Sequence, residues 1–219
     1  MGRVQTFLLA DLVGYTALTE AMGDDSAADV AVDFSLTVRG LLPQYDGEEI
    51  KTIGDALLVR VPDAGRAVQL GARIASEFGR RHGSLHVSVG LHTGSAVERG
   101  GDWFGSAVNL AARVAEQARP GEVLMTSATV EAAGKALVPA QVRSRGERAL
   151  KNLLDPVELY ALVVVEPDTE PGLPLDPVCR MVVDPARSRH AFQYRGLQYH
   201  FCSETCREAF MAEPGRYAI

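Results

Sequence analysis

Residues 166–174 read EPDTEPGLP, three prolines, one glycine and three acids with almost nothing that packs. Such a stretch cannot bury enough apolar surface to offset the entropy of ordering it, so it reads as a linker. It divides the 219 residues into a domain over 1–165 and a tail over 175–219. The domain is long enough for one good hydrophobic core. A tail of about 45 residues lies below the size at which a core alone suffices, so it calls for a metal or a docking surface.

An apolar content of 47% with 23% charged residues is that of a globular chain, and a formal charge of −6 argues against nonspecific affinity for nucleic acid or an anionic membrane, both of which would reward a basic surface. Met1-Gly2-Arg3 leads straight into the short run Val4 to Ala10, and no apolar stretch approaches the roughly 18 residues needed to span a bilayer. The expectation is a cytoplasmic protein whose partners are small molecules or protein, with neither nucleic acid nor membrane. Cys179, Cys202 and Cys206 all lie in the tail, an odd trio that points to metal or thiol chemistry and not to a disulfide framework. Of 22 basic residues only Lys51, Lys135 and Lys151 are lysine. Lysine offers a compact point charge, suited to one ring nitrogen or one phosphate oxygen.

The first domain alternates strand and helix signals. Thr6 to Ala10 is a continuous apolar strand ending at Asp11, and Gly14-Tyr15-Thr16 turns into a helix. A second helix is expected over Asp24 to Leu42, its apolar side made of Ala28, Val32, Phe34 and Leu36. Glu49 to Ile53 and Ala56 to Val61 read as a hairpin turning at Gly54-Asp55. A helix over Ala64 to Arg80, a strand over Leu85 to His92 and a ribbon over Val97 to Phe104 follow. Ser106 is expected to cap a helix running to about Ala118, which Pro120-Gly121 stops. Val123 to Thr126, a short helix near Ala128 to Ala133 and a strand over Val157 to Val165 complete the unit. The hairpins imply an α+β fold with an antiparallel or mixed sheet and helices on one side.

Asp11 at a strand end and Asp55 on a tight turn can converge on one pair of cations, since neighbouring strands lie about 5 Å apart. Oxygen ligands suit magnesium or manganese. Asn109 and Arg113, four residues apart, share one helix face, where an amide and a guanidinium can stabilise charge building on a phosphoryl group. The N–H groups of Val13, Gly14, Tyr15 and Thr16, at a helix start, can cradle phosphate.

With these residues in hand, FLLADLVGYT, IKTIGDALLVRV, VGLHTGSAV and GDWFGSAVNLAARV together resemble the catalytic domain of class III nucleotidyl cyclases, over residues 1 to about 162. The resemblance implies a ferredoxin-like βαββαβ core with an extended sheet, and a head-to-tail homodimer with active sites at the interface. It implies that Asp11 and Asp55 bind two Mg2+ or Mn2+ ions per site, with the Leu12 carbonyl as a further ligand. Lys51 and Asp102 resemble the base-specifying pair, Asn109 and Arg113 the transition-state residues, and Lys151 the triphosphate-binding lysine, although the family often has Lys-Gly where this chain has Lys151-Asn152. Adenine offers a ring-nitrogen acceptor and an amino donor, which match an ammonium and a carboxylate; guanine reverses both. ATP is therefore the expected substrate, with cyclic AMP and pyrophosphate as products. A noncatalytic nucleotide-binding or dimerisation module serving the tail, and a cyclase for another nucleotide, are the alternatives.

The tail, DPVCRMVVDPARSRHAFQYRGLQYHFCSETCREAFMAEPGRY, resembles a YHS domain, a small module related to heavy-metal-binding TRASH modules, with Arg180 where that family usually has glycine. Ser203 can cap a helix whose first turn holds Cys206, and the helix dipole there favours thiolate. Cys179, Cys202 and Cys206 leave a fourth ligand to His190 or His200, with His200 two residues from Cys202 and on the same strand face. Thiolate ligation suits Zn2+ or Cu+. Adjacency of the two units implies that metal or redox state in the tail tunes the cyclase.

Overall fold

The computed structural model describes residues 2–82, 85–137, 141–163, 174, 176–178, 181, 183–186 and 188–217. The chain opens with β1 (Arg3–Leu12), α1 (Tyr15–Met22) and α2 (Asp24–Leu41), followed by the hairpin β2 (Glu48–Ile53) and β3 (Ala56–Val61). Helix α3 (Ala64–His82) leads into β4 (Val87–Arg99), which folds back as β5 (Asp102–Phe104). Then come α4 (Ser106–Ala115), β6 (Val123–Thr126), α5 (Ser127–Ala133), β7 (Gln141–Arg148) and β8 (Val157–Val163). The tail contributes β9 (His190–Tyr194), β10 (Leu197–Phe201), α6 (Glu204–Ala212) and the short α7 (Pro214–Tyr217).

The large sheet runs β2-β3-β1-β4-β6-β8-β7, with β5 paired to β4. Among the described residues only β4 and β6 pair in parallel; the first four strands form the expected antiparallel βαββαβ core. Strand β1 is central and reads as an unbroken apolar run because both its faces are covered. Leu8, Ala10 and Leu12 face Phe34, Ile74 and Phe78 of α2 and α3, whereas Phe7 faces Ala107 and Ala111 of α4. The expectation of helices on one side is thereby corrected: α4 packs on the opposite face from α3, and strand alternation sends apolar side chains to both.

Local expectations meet two further corrections. On α2 the buried side is Ala27, Phe34, Val38 and Leu41, while Val32 and Leu36 are 57% and 59% exposed. Ala28, Val32 and Leu36 follow an i, i+4 row that drifts off the buried stripe, so spacing alone selects the wrong row. Ser106 is the first helical residue of α4; the N-cap is Gly105, which lacks a side chain and leaves the helix start uncapped by any side chain. Strand β7, QVRSRGER, lies at the sheet edge and was not anticipated, because its polar alternation carries no apolar signal. The expected linker lies outside the described residues except for Pro174, whose carbonyl accepts a 2.9 Å hydrogen bond from the Val183 N–H. No described helix is long and apolar enough to cross a membrane.

Helix α4 lies close on β4, and Gly90 is what lets it. A Cβ built at Gly90 would stand 2.5 Å from Ala115 Cα and 2.7 Å from the Ala111 carbonyl oxygen, both backbone atoms that cannot swing away. Gly90→Ala should therefore cost about 3 kcal/mol through overpacking, measurable by chemical denaturation. A loss under about 0.5 kcal/mol would mean that α4 floats on the sheet.

Candidate nucleotide and metal site

The register of three strands assembles the acidic pair. Asp11 faces Ala56 across the β1–β3 ladder, and Asp55, in the two-residue turn between β2 and β3, precedes Ala56 directly. Gly54 takes φ 62° in that turn, a left-handed conformation that glycine adopts without steric cost. Burial and then the field of Asp55 push the Asp11 carboxyl up to about 6, and burial also raises Asp55. Each acid thus resists ionisation, and a divalent cation held by carboxylate oxygens would remove that penalty. The donor set, two carboxylates with the Leu12 carbonyl beside them, is all oxygen and fits a hard cation.

Asp11, Leu12, Val13 and Gly14 form one wall of a cleft of about 470 Å3, and Glu116, Gln117, Arg119 and Arg145 line it as well. Gly14 is the N-cap of α1 with φ 78° and no side-chain cap, so the helix start presents backbone N–H groups. One member of the expected cradle is already committed: the Val13 N–H donates to the His86 carbonyl at 2.9 Å, which anchors the loop to the approach of β4. That leaves Gly14, Tyr15 and Thr16 of the four expected residues.

Lys51 and Asp102 meet in the same chain although 51 positions separate them. Lys51 stands on β2 just past a β-bulge, and Asp102 opens β5 opposite Arg99. Lys51 Nζ donates to Asp102 Oδ2 at 2.6 Å, and the Trp103 N–H holds Oδ1 at 2.8 Å. The Lys51 hydrogen bond, ahead of the Trp103 one, lowers the Asp102 pKa. Both side chains stay a third or more exposed, open to a ligand. Beneath them Trp103 is 4% exposed, edge-on to Phe7 and under the Arg60 guanidinium, which fixes the ribbon.

Asn109 and Arg113 share the outward face of α4, with Ala107, Ala111 and Val114 buried behind them. Arg113 Nη1 donates to Glu116 Oε1. Among the described residues, no hydrogen bond or ion pair joins either to Asp11 or Asp55. Lys151 is exposed in the turn before β8, and Asn152 after it takes φ 65°. That is the left-handed region, where asparagine is the commonest stand-in for glycine, so the departure from Lys-Gly keeps the turn. His92 bonds Thr126 Oγ1 through Nδ1, and burial pushes its pKa down to about 4, which leaves it a neutral packing group.

In the tail, Ser203 Oγ accepts the Cys206 N–H and caps α6, as its sequence implies. Cys202 and Cys206 bring their Sγ atoms to 3.7 Å. Cys179 lies outside the described residues. His200 does not join the thiols: it lies outside the cluster that their sulfurs form, although β10 carries it two residues before Cys202, and its Nδ1 is buried without a hydrogen-bond partner. His190 is engaged with Glu204 Oε2 at 2.8 Å. The group that does reach both thiols is Asp176, three residues before Cys179 in DPVC and unnoticed in a search for cysteine and histidine. Arg119, Arg145 and Glu116 were missed as well, the first two because arginine is this chain's default base.

The family model of the adenylate and guanylate cyclase catalytic domain matches residues 3–163. The chain belongs to that family. A YHS domain model matches residues 175–219. Over 162 residues the cyclase chain is 34% identical to the pH-sensitive adenylate cyclase MT1302 of Mycobacterium tuberculosis, covering 72% of this chain and 40% of that protein. An adenylate cyclase of Streptomyces griseus is 29% identical over 165 residues, 75% of this chain and 41% of its own length. The chain thus spans about two fifths of these relatives. Among solved structures, the adenylyl cyclase CyaB from P. aeruginosa superposes with a TM-score of 0.65 at 21% identity, covering 78% of this chain and 100% of that one. A cyclase from Silicibacter pomeroyi gives 0.65 at 25% identity, with 74% and 98% covered. Both place the cyclase fold on this chain.

If the acids hold cations, manganese at a hundredfold excess over its Kd should stabilise the protein by about 2.7 kcal/mol. Asp11→Asn should lose that response without losing metal-free stability, because it removes a penalised carboxylate. Thermal melts with and without manganese measure both, and equal shifts in the two proteins would rule out Asp11 as a ligand.

Proposed function

We propose that this chain is an adenylate cyclase that converts ATP to 3′,5′-cyclic AMP and pyrophosphate at sites shared between two copies. The observation that carries the reading is the Lys51–Asp102 pair, a donor and an acceptor 2.6 Å apart in a half-open site. Lys51 would donate to an adenine ring nitrogen while Asp102 accepts from the exocyclic amino group; guanine would set like against like. A buried mismatch of that kind discriminates by orders of magnitude.

Asp11, Asp55 and the Leu12 carbonyl would hold two magnesium or manganese ions, which supply Lewis acidity toward the ribose 3′-hydroxyl and the phosphates. The N–H groups of Gly14, Tyr15 and Thr16 would receive phosphate oxygens. Arg119 and Arg145, which line the same cleft as Asp11, add positive charge where pyrophosphate leaves. Lys151 of the partner copy would add to it. Arg113 would leave Glu116 to meet the charge building on the phosphoryl group, with Asn109 orienting the ribose.

A second copy is invoked because Asn109 and Arg113 face outward in a single chain, without a bond to the acids. Exposed apolar groups border the base pair: Val97 and Phe104 pair across β4 and β5 and are 42% and 54% exposed, and Ile53 is 52% exposed. A homodimer would cover them and complete two sites.

The tail is proposed to report on metal or redox state through its contact with the cyclase. Its core of Met181, Phe201, Cys206 and Phe210 packs on Ala17 of α1 and on Leu85. Ala17 follows the phosphate loop, and Leu85 precedes the His86 carbonyl that anchors Val13.

Purified protein with manganese should make cyclic AMP from ATP and little product from GTP, CTP or UTP. Asp55→Ala should abolish the reaction, and Arg113→Ala should lower kcat by roughly 10²–10³ with KM largely kept. Full activity in Asp55→Ala would sink the assignment. For the tail, Leu85→Ser should change kcat or KM while circular dichroism stays the same; unchanged kinetics would remove the coupling.

A further inference from the structure

The thiols of the tail stand beside a carboxylate that no cysteine or histidine pattern reveals. Asp176 is 0% exposed, and its carboxylate oxygen lies within 4.8 Å of the Cys202 and Cys206 sulfurs. The backbone delivers it there. The Pro174 carbonyl accepts from the Val183 N–H at 2.9 Å and the Asp176 N–H donates to the Met181 carbonyl at 2.8 Å, a clamp that brings Asp176 back to the head of α6. Its carboxylate is then aimed by two further bonds: the Val178 N–H donates to Oδ1 at 2.8 Å, and the Cys202 N–H donates to Oδ2 at 2.9 Å.

We infer that Asp176 is a metal ligand, and that Asp176, Cys202 and Cys206 supply three donors of a tetrahedral site for a zinc-class cation. This rests on the reading that the tail takes a metal, and names the ligand set that reading lacked. In a tetrahedral site with zinc–sulfur bonds of about 2.3 Å, two sulfurs stand about 3.8 Å apart. The two Sγ atoms here stand at 3.7 Å. A zinc–oxygen bond of about 2.0 Å puts the carboxylate about 3.5 Å from each sulfur, within the observed cluster. Sulfurs at 3.7 Å are also in plain contact, so the spacing gains its meaning from the third group: a carboxylate closed off from water and turned toward two thiols at a helix start. Three groups that each bind a cation as anions lie together, Asp176 and Cys206 buried and Cys202 half-buried, where a divalent ion would balance their charge. The two N–H bonds orient the carboxylate, as outer-shell donors do in metal sites, and the Cys202 side chain also hydrogen-bonds to it.

The choice of carboxylate over imidazole follows from the same coordinates. His190 is held by Glu204, and His200 stays outside the cluster. The site also sits at the joint between the units, since Cys206 belongs to the apolar cluster that touches Ala17 and Leu85. A cation bound there would stiffen the head of α6 against α1.

The test uses the full chain with reduced thiols, loaded with zinc or cobalt alone. X-ray absorption at the zinc edge should show sulfur together with a light-atom oxygen shell and no imidazole scattering. Cobalt should give the intense charge-transfer bands of thiolate ligation, and Asp176→Asn should weaken cobalt binding by about a hundredfold while keeping those bands at saturation. Cys202→Ser should lose binding outright. Because Asp176→Asn also disturbs the bond to the Cys202 N–H, the zinc spectrum of the unmutated chain stands as the independent measurement. A zinc spectrum without an oxygen shell, or cobalt affinity unchanged in Asp176→Asn, would overturn the role of Asp176 and leave a metal-binding tail in place. No binding of zinc or cobalt by the unmutated chain would overturn both, and neither result bears on the cyclase reading.

Discussion

Strand β1 is paired along its full length with β4 and over Thr6 to Asp11 with β3, and that double register is the constraint on which the rest depends. Its ladder with β3 runs from Thr6 opposite Val61 to Asp11 opposite Ala56, and its ladder with β4 from Arg3 opposite Ala96 to Leu12 opposite Val87. A slip of one residue would turn Asp11 into the face that holds Leu8, Ala10 and Leu12, and bury an acid in the apolar core. The hydrophobic pattern therefore fixes the position of the acidic pair as firmly as it fixes the core. The same ladder sets β4, and through Gly90 the seat of α4 with its outward Asn109 and Arg113.

The acidic pair stores unfavourable electrostatics that a cation can relieve, while the other charged groups already have partners. Asp11 and Asp55 are desolvated side by side, Arg113 is held by a glutamate three residues on, and Lys51 and Asp102 satisfy one another across two strands. Each of these partners is one that a nucleotide or a cation could replace. Asp11 and Asp55 would gain from a cation, whereas Arg113, Lys51 and Asp102 would exchange one partner for another. The tail repeats the principle on a smaller scale, with a buried carboxylate and two thiols gathered at a helix start against the same α1.

Much of this was legible from the residues. The hairpin with Gly54-Asp55 at its turn, the ribbon around Gly100-Gly101, the helix with Asn109 and Arg113 on one face and the cap at Ser203 all follow from local chemistry, because turn residues and short-range periodicity act within a few positions. What was misread is equally local in form but tertiary in cause. Val32 and Leu36 look like core and are exposed, because the true stripe of α2 is chosen by Phe78 of α3, which meets Phe34 at 5.3 Å. The polar strand β7 exists because β8 offers it an edge, not because its own residues favour extension.

The sequence by itself determined the two units, the alternating α+β order and the residue types of the candidate nucleotide and metal site, since composition, turn chemistry and motif spacing are carried along the chain. Tertiary structure alone decided which of those residues meet. Lys51 reaches Asp102 through a bulge and a ribbon, Val13 spends its N–H on His86, and Asp176 crosses 26 positions to the Cys202 backbone. Contacts of that span depend on strand register and on how closely one backbone approaches another, quantities that no local pattern encodes.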